Sequence, residues 1–201
     1  MYEEWRIRMR TIIANKSELN DLLLSCRAEP ASLPRDGGKF YRVEAQDFRF
    51  PDGSLQTREY LSKRPASVVV PITEDGNYIF VVQPIALSKE GALIEFPAGY
   101  CEENEKGKEA AMRELCEETG YRAEKCISTG THYQDPGSIR QCVETFVATN
   151  CVLVSDQKLD NGEYIRQIEV PRTLAQELAE DGFFKDANTF IAFYKAEKLL
   201  G

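Results

Sequence analysis

Between Gly99 and Tyr121 the chain reads G-Y-C-E-E-N-E-K-G-K-E-A-A-M-R-E-L-C-E-E-T-G-Y. Glu114, Glu117 and Glu118 stand at i, i+3 and i+4, directly after Arg113. Glu109 to Thr119 holds good helix formers with no Gly or Pro, and Gly120 follows where a left-handed residue would end a helix. The spacing therefore predicts a short helix with three carboxylates on one face, within about one turn. Like charges that close destabilise an isolated helix by roughly 0.2–0.5 kcal/mol per pair, so the arrangement calls for a cation. Carboxylate oxygens are hard ligands that suit Mg²⁺ or Mn²⁺ rather than zinc. Just upstream, Ile94-Glu95-Phe96-Pro97-Ala98-Gly99 ends a strand-like run in a sharp turn. The freedom of Gly99 lets the Ala98 carbonyl aim at the same metal. Most Glu-rich stretches are solvated helix faces; fixed residues at set spacing from Gly99 to Gly120 argue against that reading here.

The stretch resembles the Nudix box, G-x5-E-x7-R-E-U-x-E-E-x-G-U with U a bulky apolar residue. Gly99, Glu105, Arg113, Glu114, Leu115, Glu117, Glu118 and Gly120 fill its fixed positions, with Tyr121 a looser choice at the last. The resemblance implies Mg²⁺-dependent hydrolysis of a nucleoside diphosphate linked to another moiety, on an α/β fold: an α/β/α sandwich with a mixed sheet. Glu95-Phe96-Pro97-Ala98-Gly99 before the box and Pro136-Gly137 after it resemble the ADP-ribose and ADP-sugar pyrophosphatases. That likeness implies AMP and a sugar phosphate as products. Metal ligands would be Ala98, Glu114, Glu117 and Glu118, with Mn²⁺ as an alternative ion. The candidate catalytic set is Glu163, Glu117 and Arg113: Glu163, in a Gly-Glu-aromatic unit, matches the loop base of those enzymes, and Arg113 orients the carboxylates through Glu105. Glu95, Phe40, Arg58 and Lys63 are the candidate substrate-binding residues, Phe40 by base stacking. One feature departs from those relatives, which carry an arginine two residues after a Gln: here the run is Gln83-Pro84-Ile85-Ala86, and Lys89 is the nearby cation. Other Nudix substrates (GDP-mannose, a dinucleoside polyphosphate or an oxidised nucleoside triphosphate) and a non-enzymatic nucleotide sensor are the alternative readings.

At 201 residues and 42% hydrophobic the chain can bury a core of ordinary size. A net charge of −8 and a pI near 4.9 offer no basic surface to an extended nucleic acid. A small anionic substrate must instead be met by metal and local cations. Cys26, Cys101, Cys116, Cys126, Cys142 and Cys151 form no C-x-x-C pair, and no long apolar run is present, so a reduced, cytoplasmic setting without membrane attachment is expected. His132, the one histidine, reads as a packed or surface residue.

The elements that must position these groups follow in order. Residues 2 to 28 predict one or two helices, broken near Asn15-Lys16-Ser17 with Ser17 as N-cap. Residues 1–65 form a helical segment plus β-module, and 66–201 the hydrolase domain. Lys39 to Phe50 and Leu55 to Ser62 predict a hairpin about the turn Pro51-Asp52-Gly53-Ser54. In the resembling enzymes such a module reaches a second subunit, so a homodimer that clamps the nucleotide is implied. Ala66 to Ile72 and Tyr78 to Gln83 predict buried strands, Tyr121 to Thr131 and Cys142 to Leu153 further ones. Asp160-Asn161-Gly162 is a turn that places Glu163 at the start of a strand running to Val170. Helices are expected from Pro171 to Ala179 and from Asp186 to Leu200, the second packing through Phe190, Ala192, Phe193 and Ala196.

Overall fold

The Val-rich run is the middle of the molecule because both of its faces are apolar. In the computed structural model, which describes residues 11–28 and 43–201, it forms β3, Ala66–Thr73. Val68, Val70 and Ile72 enter one core cluster while Val69 enters another on the opposite face. A strand buried on both sides needs a helical layer over each. One layer is α2, Gly107–Thr119, which inserts Ala111 and Leu115 beside Val69. The other is α3, Arg172–Glu180, and α4, Ala187–Leu200, which supply Leu174, Leu178, Ala192, Phe193 and Ala196.

Around β3 the sheet runs β11-β4-β3-β10-β7, with β5 on β4, β6 on β3 and β8 on β10. These strands are β4 (Tyr78–Ile85), β5 (Gly91–Glu95), β6 (Ala98–Tyr100), β7 (Tyr121–Arg122), β8 (Lys125–His132), β10 (Val143–Leu153) and β11 (Arg166–Val170). β10 lies parallel to β3, Val143 opposite Ala66, whereas β4 and β6 pair with β3 antiparallel. The sheet is therefore mixed, between helices, in the α/β class expected. Its aromatic core reaches the candidate site directly. Phe80 and Phe96 stack at 4.3 Å, Tyr78 sets its edge against Phe96, Phe184 tilts against Phe80, and the Phe96 amide donates to Thr189 Oγ1 at 3.2 Å. Aromatic contacts of this kind add about 0.5–1.5 kcal/mol each beyond burial. The segment Pro97-Ala98-Gly99 thus starts from an immobilised residue.

The hairpin forms as β1 (Val43–Arg49) and β2 (Leu55–Ser62), Val43 opposite Leu61 and Arg49 opposite Leu55. Asp52 Oδ1 accepts from the Ser54 amide at 2.9 Å, and Gly53 takes φ 86°, which closes the turn. β9, Ile139–Arg140, adds to β2 in parallel, so the hairpin is tied to the segment carrying Pro136-Gly137.

Several local expectations differ. α1 spans Lys16–Ser25, and its cap is Asn15, not Ser17: Asn15 accepts from the Glu18 amide at 3.1 Å and Glu18 reaches back to the Ala14 amide at 2.9 Å. Asn caps as well as Ser does, and here it has the returning Glu three residues on. Residues 11–13 are not helical, because Ile13 and Thr11 bond to the backbone of Glu169 at the sheet edge. Phe190 is about half exposed instead of core. Phe40, and any helix before residue 11, lie outside the described residues.

Candidate active site

α2 is held at both ends. Glu109 Oε2 accepts from the Lys106 amide at 3.0 Å, and Gly120 at φ 76° gives its N–H to Cys116 at 2.9 Å. Between these ends Ala110, Ala111 and Leu115 are buried, which turns Glu114 and Glu118 toward β6. Gly99 is what lets β6 come so close: a Cβ there would stand 1.8 Å from Glu114 Oε1. Glu118 is 6% exposed, and the Ala98 amide donates to its Oε2 at 3.2 Å.

Arg113 organises the outer side of this cluster. Nε and Nη2 hold both oxygens of Glu105 at 2.9 Å, Nη1 reaches Glu114 at 2.8 Å and Glu117 at 3.0 Å, and Nη2 also donates to the Tyr100 carbonyl at 3.1 Å. A guanidinium has five N–H donors, and these bonds use them all. Arg113 therefore fixes carboxylates and has no donor left for a substrate phosphate. Its guanidinium holds the Glu105 carboxyl below its usual range.

The inner side is short of positive charge. Burial, then the neighbouring Glu114, push Glu118 up to about 9, and Glu163 and Glu95 act in the same direction. Burial also raises Glu114 against the pull of Arg113. Glu95 rises to about 7 by burial, although Gln83 Nε2 donates to it at 2.6 Å. Carboxylates crowded into low dielectric are the donor set that a hard divalent cation relieves, so the residues fit such an ion. As the side chains stand, no three His, Cys, Asp or Glu among the described residues converge to hold one. Arg113 draws Glu114 and Glu117 toward itself.

Glu163 comes from the loop between β10 and β11. It lies outside β11, which starts at Arg166, and it closes its own turn: its amide donates to Asp160 O at 3.1 Å and Oε2 accepts from the Asp160 amide at 2.8 Å. Its charge raises both Glu114 and Glu118. Glu114 and Glu118 thus meet the Ala98-Gly99 backbone directly, while Glu95 and Glu163 act on Glu118 through their charge.

The remaining candidates sit elsewhere. Exposed Arg58 lies over Phe50, 5.1 Å from the ring centroid, and bonds to Gln56 at 2.6 Å. It lines a groove of about 540 Å³ with Phe48, Tyr60, Tyr133, Pro136 and Arg140, which none of the box carboxylates borders. Lys63 follows β2, and its amide donates to Arg140 O at 3.1 Å. Lys89 is exposed in the turn before β5. Gln83 is the partner of Glu95. Sequence reasoning also missed Arg140, which covers Tyr60 at 3.9 Å. Strand pairing of β9 with β2, invisible in a local window, brings those two together.

The NUDIX domain family model matches residues 63–192. The chain belongs to the Nudix hydrolase family. An ADP-ribose pyrophosphatase of Bacillus subtilis (strain 168) is 33% identical over 156 residues, spanning 77% of this chain and 84% of that protein. An ADP-sugar pyrophosphatase of Mus musculus is 28% identical over 152 residues, 67% of this chain and 69% of its own length. The crystal structure of an ADP compounds hydrolase superposes with a TM-score of 0.69 at 26% identity, covering 83% of this chain and 89% of that one. The Nudix box of this chain is the segment from Gly99 to Tyr121, and the fold around it is the one its resemblance implied.

Proposed function

We propose that this Nudix hydrolase cleaves the diphosphate of ADP-ribose or an ADP-sugar to AMP and a sugar phosphate, using Mg²⁺ or, in its place, Mn²⁺. The observation that carries the proposal is the buried Glu118 carboxylate beside Ala98-Gly99, with Glu114 packed against Gly99 and with Glu163 and Glu95 near enough to raise Glu118 further. The names of the relatives supply the substrate class. The metal ligands are Glu114, Glu117, Glu118 and the carbonyl of Ala98. When bound, the ion offsets charge on the diphosphate and the leaving oxygen.

This chain's own groups then have distinct tasks. Arg113 keeps Glu105, Glu114 and Glu117 in register. Glu163 accepts a proton from the attacking water as its oxygen bonds to phosphorus and the bridging P–O bond breaks, the bridging oxygen leaving with the second phosphate. Glu95, raised to about 7 by burial, contacts the substrate beside the diphosphate. Arg58 and Lys63 of the β-module, with Phe40, bind the nucleoside end across a homodimer in which residues 1–65 act as the clamp and 66–201 as the hydrolase domain. Six free thiols suit a reducing compartment, the cytoplasm. Among the described residues no helix is long and apolar enough to cross a membrane.

Product release from ADP-ribose, ADP-glucose, GDP-mannose, a diadenosine polyphosphate and 8-oxo-dGTP, with Mg²⁺ and with chelator, tests the reading. Chelator-sensitive formation of AMP from ADP-ribose or ADP-glucose is the expected result. Preferred turnover of another member of the panel would overturn the substrate, and no turnover with either metal would overturn the activity.

A further inference from the structure

A helix leaves its last carbonyls without intrahelical partners. In α2 these groups are taken by the segment that leads into the Glu163 loop. Gly120 O accepts from the amides of Val154 and Ser155 at 2.9 and 3.2 Å, and Glu117 O from the Lys158 amide at 2.7 Å. Glu118 O accepts from the side-chain amide of Gln157, whose Nε2 also donates to Ile165 O at 3.2 Å. Gln157 and Ile165 are the two feet of the loop that carries Glu163. One side-chain amide therefore ties both feet to the backbone of Glu118. Beyond those feet the loop is exposed from Asp160 to Tyr164 and is closed within itself by the Asp160–Glu163 bonds.

We propose that Gln157 is a positioning residue, whose amide sets the distance between Glu163 and the box carboxylates by clamping the neck of the Glu163 loop to the last turn of α2. The inference rests on the reading of Glu163 as the base. A misplacement near 1 Å in a reacting group costs on the order of 10²-fold in rate. Loss of the clamp should thus lower kcat by roughly 10–100-fold and leave Mn²⁺ affinity in place, because neither Glu114 nor Glu118 loses a side-chain partner. Lys158 stands inside the loop and offers a readout independent of turnover, since trypsin cleaves after it once the loop opens.

The experiment compares the parent protein, Gln157→Met, Gln157→Lys, Glu163→Gln and the double variant Gln157→Met/Glu163→Gln. Kcat and KM, Mn²⁺ binding and tryptic cleavage after Lys158 in metal-free protein are measured for each. Gln157→Met keeps the side-chain length and removes both donations; it should lose kcat at near-parental Mn²⁺ affinity and be cut faster after Lys158. Gln157→Lys, which returns donors to both carbonyls, should recover part of the kcat loss; because it adds a trypsin site, cleavage is compared only among the other variants. In the Glu163→Gln background the Met substitution should add no further loss, because two residues serving one function are non-additive. A parental kcat in Gln157→Met, an unchanged cleavage rate, or a full multiplicative loss in the double variant would each overturn the inference. Parental activity of Glu163→Gln would instead overturn the base assignment, while the cleavage rates still report whether Gln157 holds the loop.

Discussion

The two ends of this molecule that meet charge do so in opposite ways. At the box, carboxylates are buried: Glu118 is almost inaccessible, Glu114 sits where a Gly99 side chain would be, and Arg113 is fully engaged by Glu105, Glu114, Glu117 and a carbonyl. In the groove of the β-module the charges are cationic and wet: Arg58 rests on Phe50, and Arg140 on Tyr60 and Phe48, each guanidinium exposed. Coulomb energies grow as the local dielectric falls, while exposed cation–π contacts are worth about 0.5–1 kcal/mol. The buried end is preorganised against its own repulsion and can drive chemistry. The exposed end can contribute recognition at small energies.

That contrast is most open to breakage at Glu163. Glu163→Gln should lose about 10²–10⁴ in kcat, the usual contribution of a positioned base, with Mn²⁺ binding retained. A parental rate would place the base elsewhere and detach the loop from the chemistry.

Next in size is Glu118→Gln, which should weaken Mn²⁺ binding by more than the roughly 10–100-fold expected for an outer partner. The same variant has a stability signature. Because the folded Glu118 is raised to about 9 from an ordinary 4.5, the metal-free folded chain holds a proton that the unfolded chain releases across that window. Stability therefore falls as pH rises from about 4.5 to 9. Glu95 and Glu114 act with the same sign. In thermal melts of the metal-free proteins, Glu118→Gln should melt higher than the parent at pH 8 and fall less steeply between pH 5 and 8. Parallel melting curves would mean that Glu118 is ionised without a metal.

Gly99→Ala sharpens the point that the buried end depends on a close approach. The new Cβ meets the tip of a flexible side chain, Glu114 Oε1, so the fold can absorb it by moving that carboxylate. A loss of about 10–100-fold in activity with a near-parental melting temperature is expected. A large drop in melting temperature instead would make Gly99 a structural requirement.

The smallest effect should come from the exposed end. Arg140→Ala removes the cation over Tyr60, and a contact of about 0.5–1 kcal/mol predicts a roughly two- to five-fold rise in KM at unchanged kcat. A fall in kcat comparable to that of the box variants would erase the distinction between the two ends.

Much of this was legible in residue order because it rests on local rules. The helix from Gly107 to Thr119, its left-handed stop at Gly120, the facing glutamates and the hairpin about Gly53 each follow from spacing within a few residues. The cap at Asn15, the pairing of residues 11–13 with Glu169 and the exposure of Phe190 did not, since each depends on which distant surface the segment meets.

The types of the chemical groups, their order and the shared face of Glu114, Glu117 and Glu118 are properties of the chain alone, because helical periodicity operates over four residues. Their electrostatic state is not. Glu118 is raised far above an ordinary glutamate chiefly by burial, which folding alone supplies, and then by Glu114 on its own helix and by Glu163 and Glu95 from segments remote in sequence. Likewise nothing in the run around Gln157 announces a role. Its amide gains one only when folding places the orphan carbonyl of Glu118 and the carbonyl of Ile165 within reach of the same nitrogen.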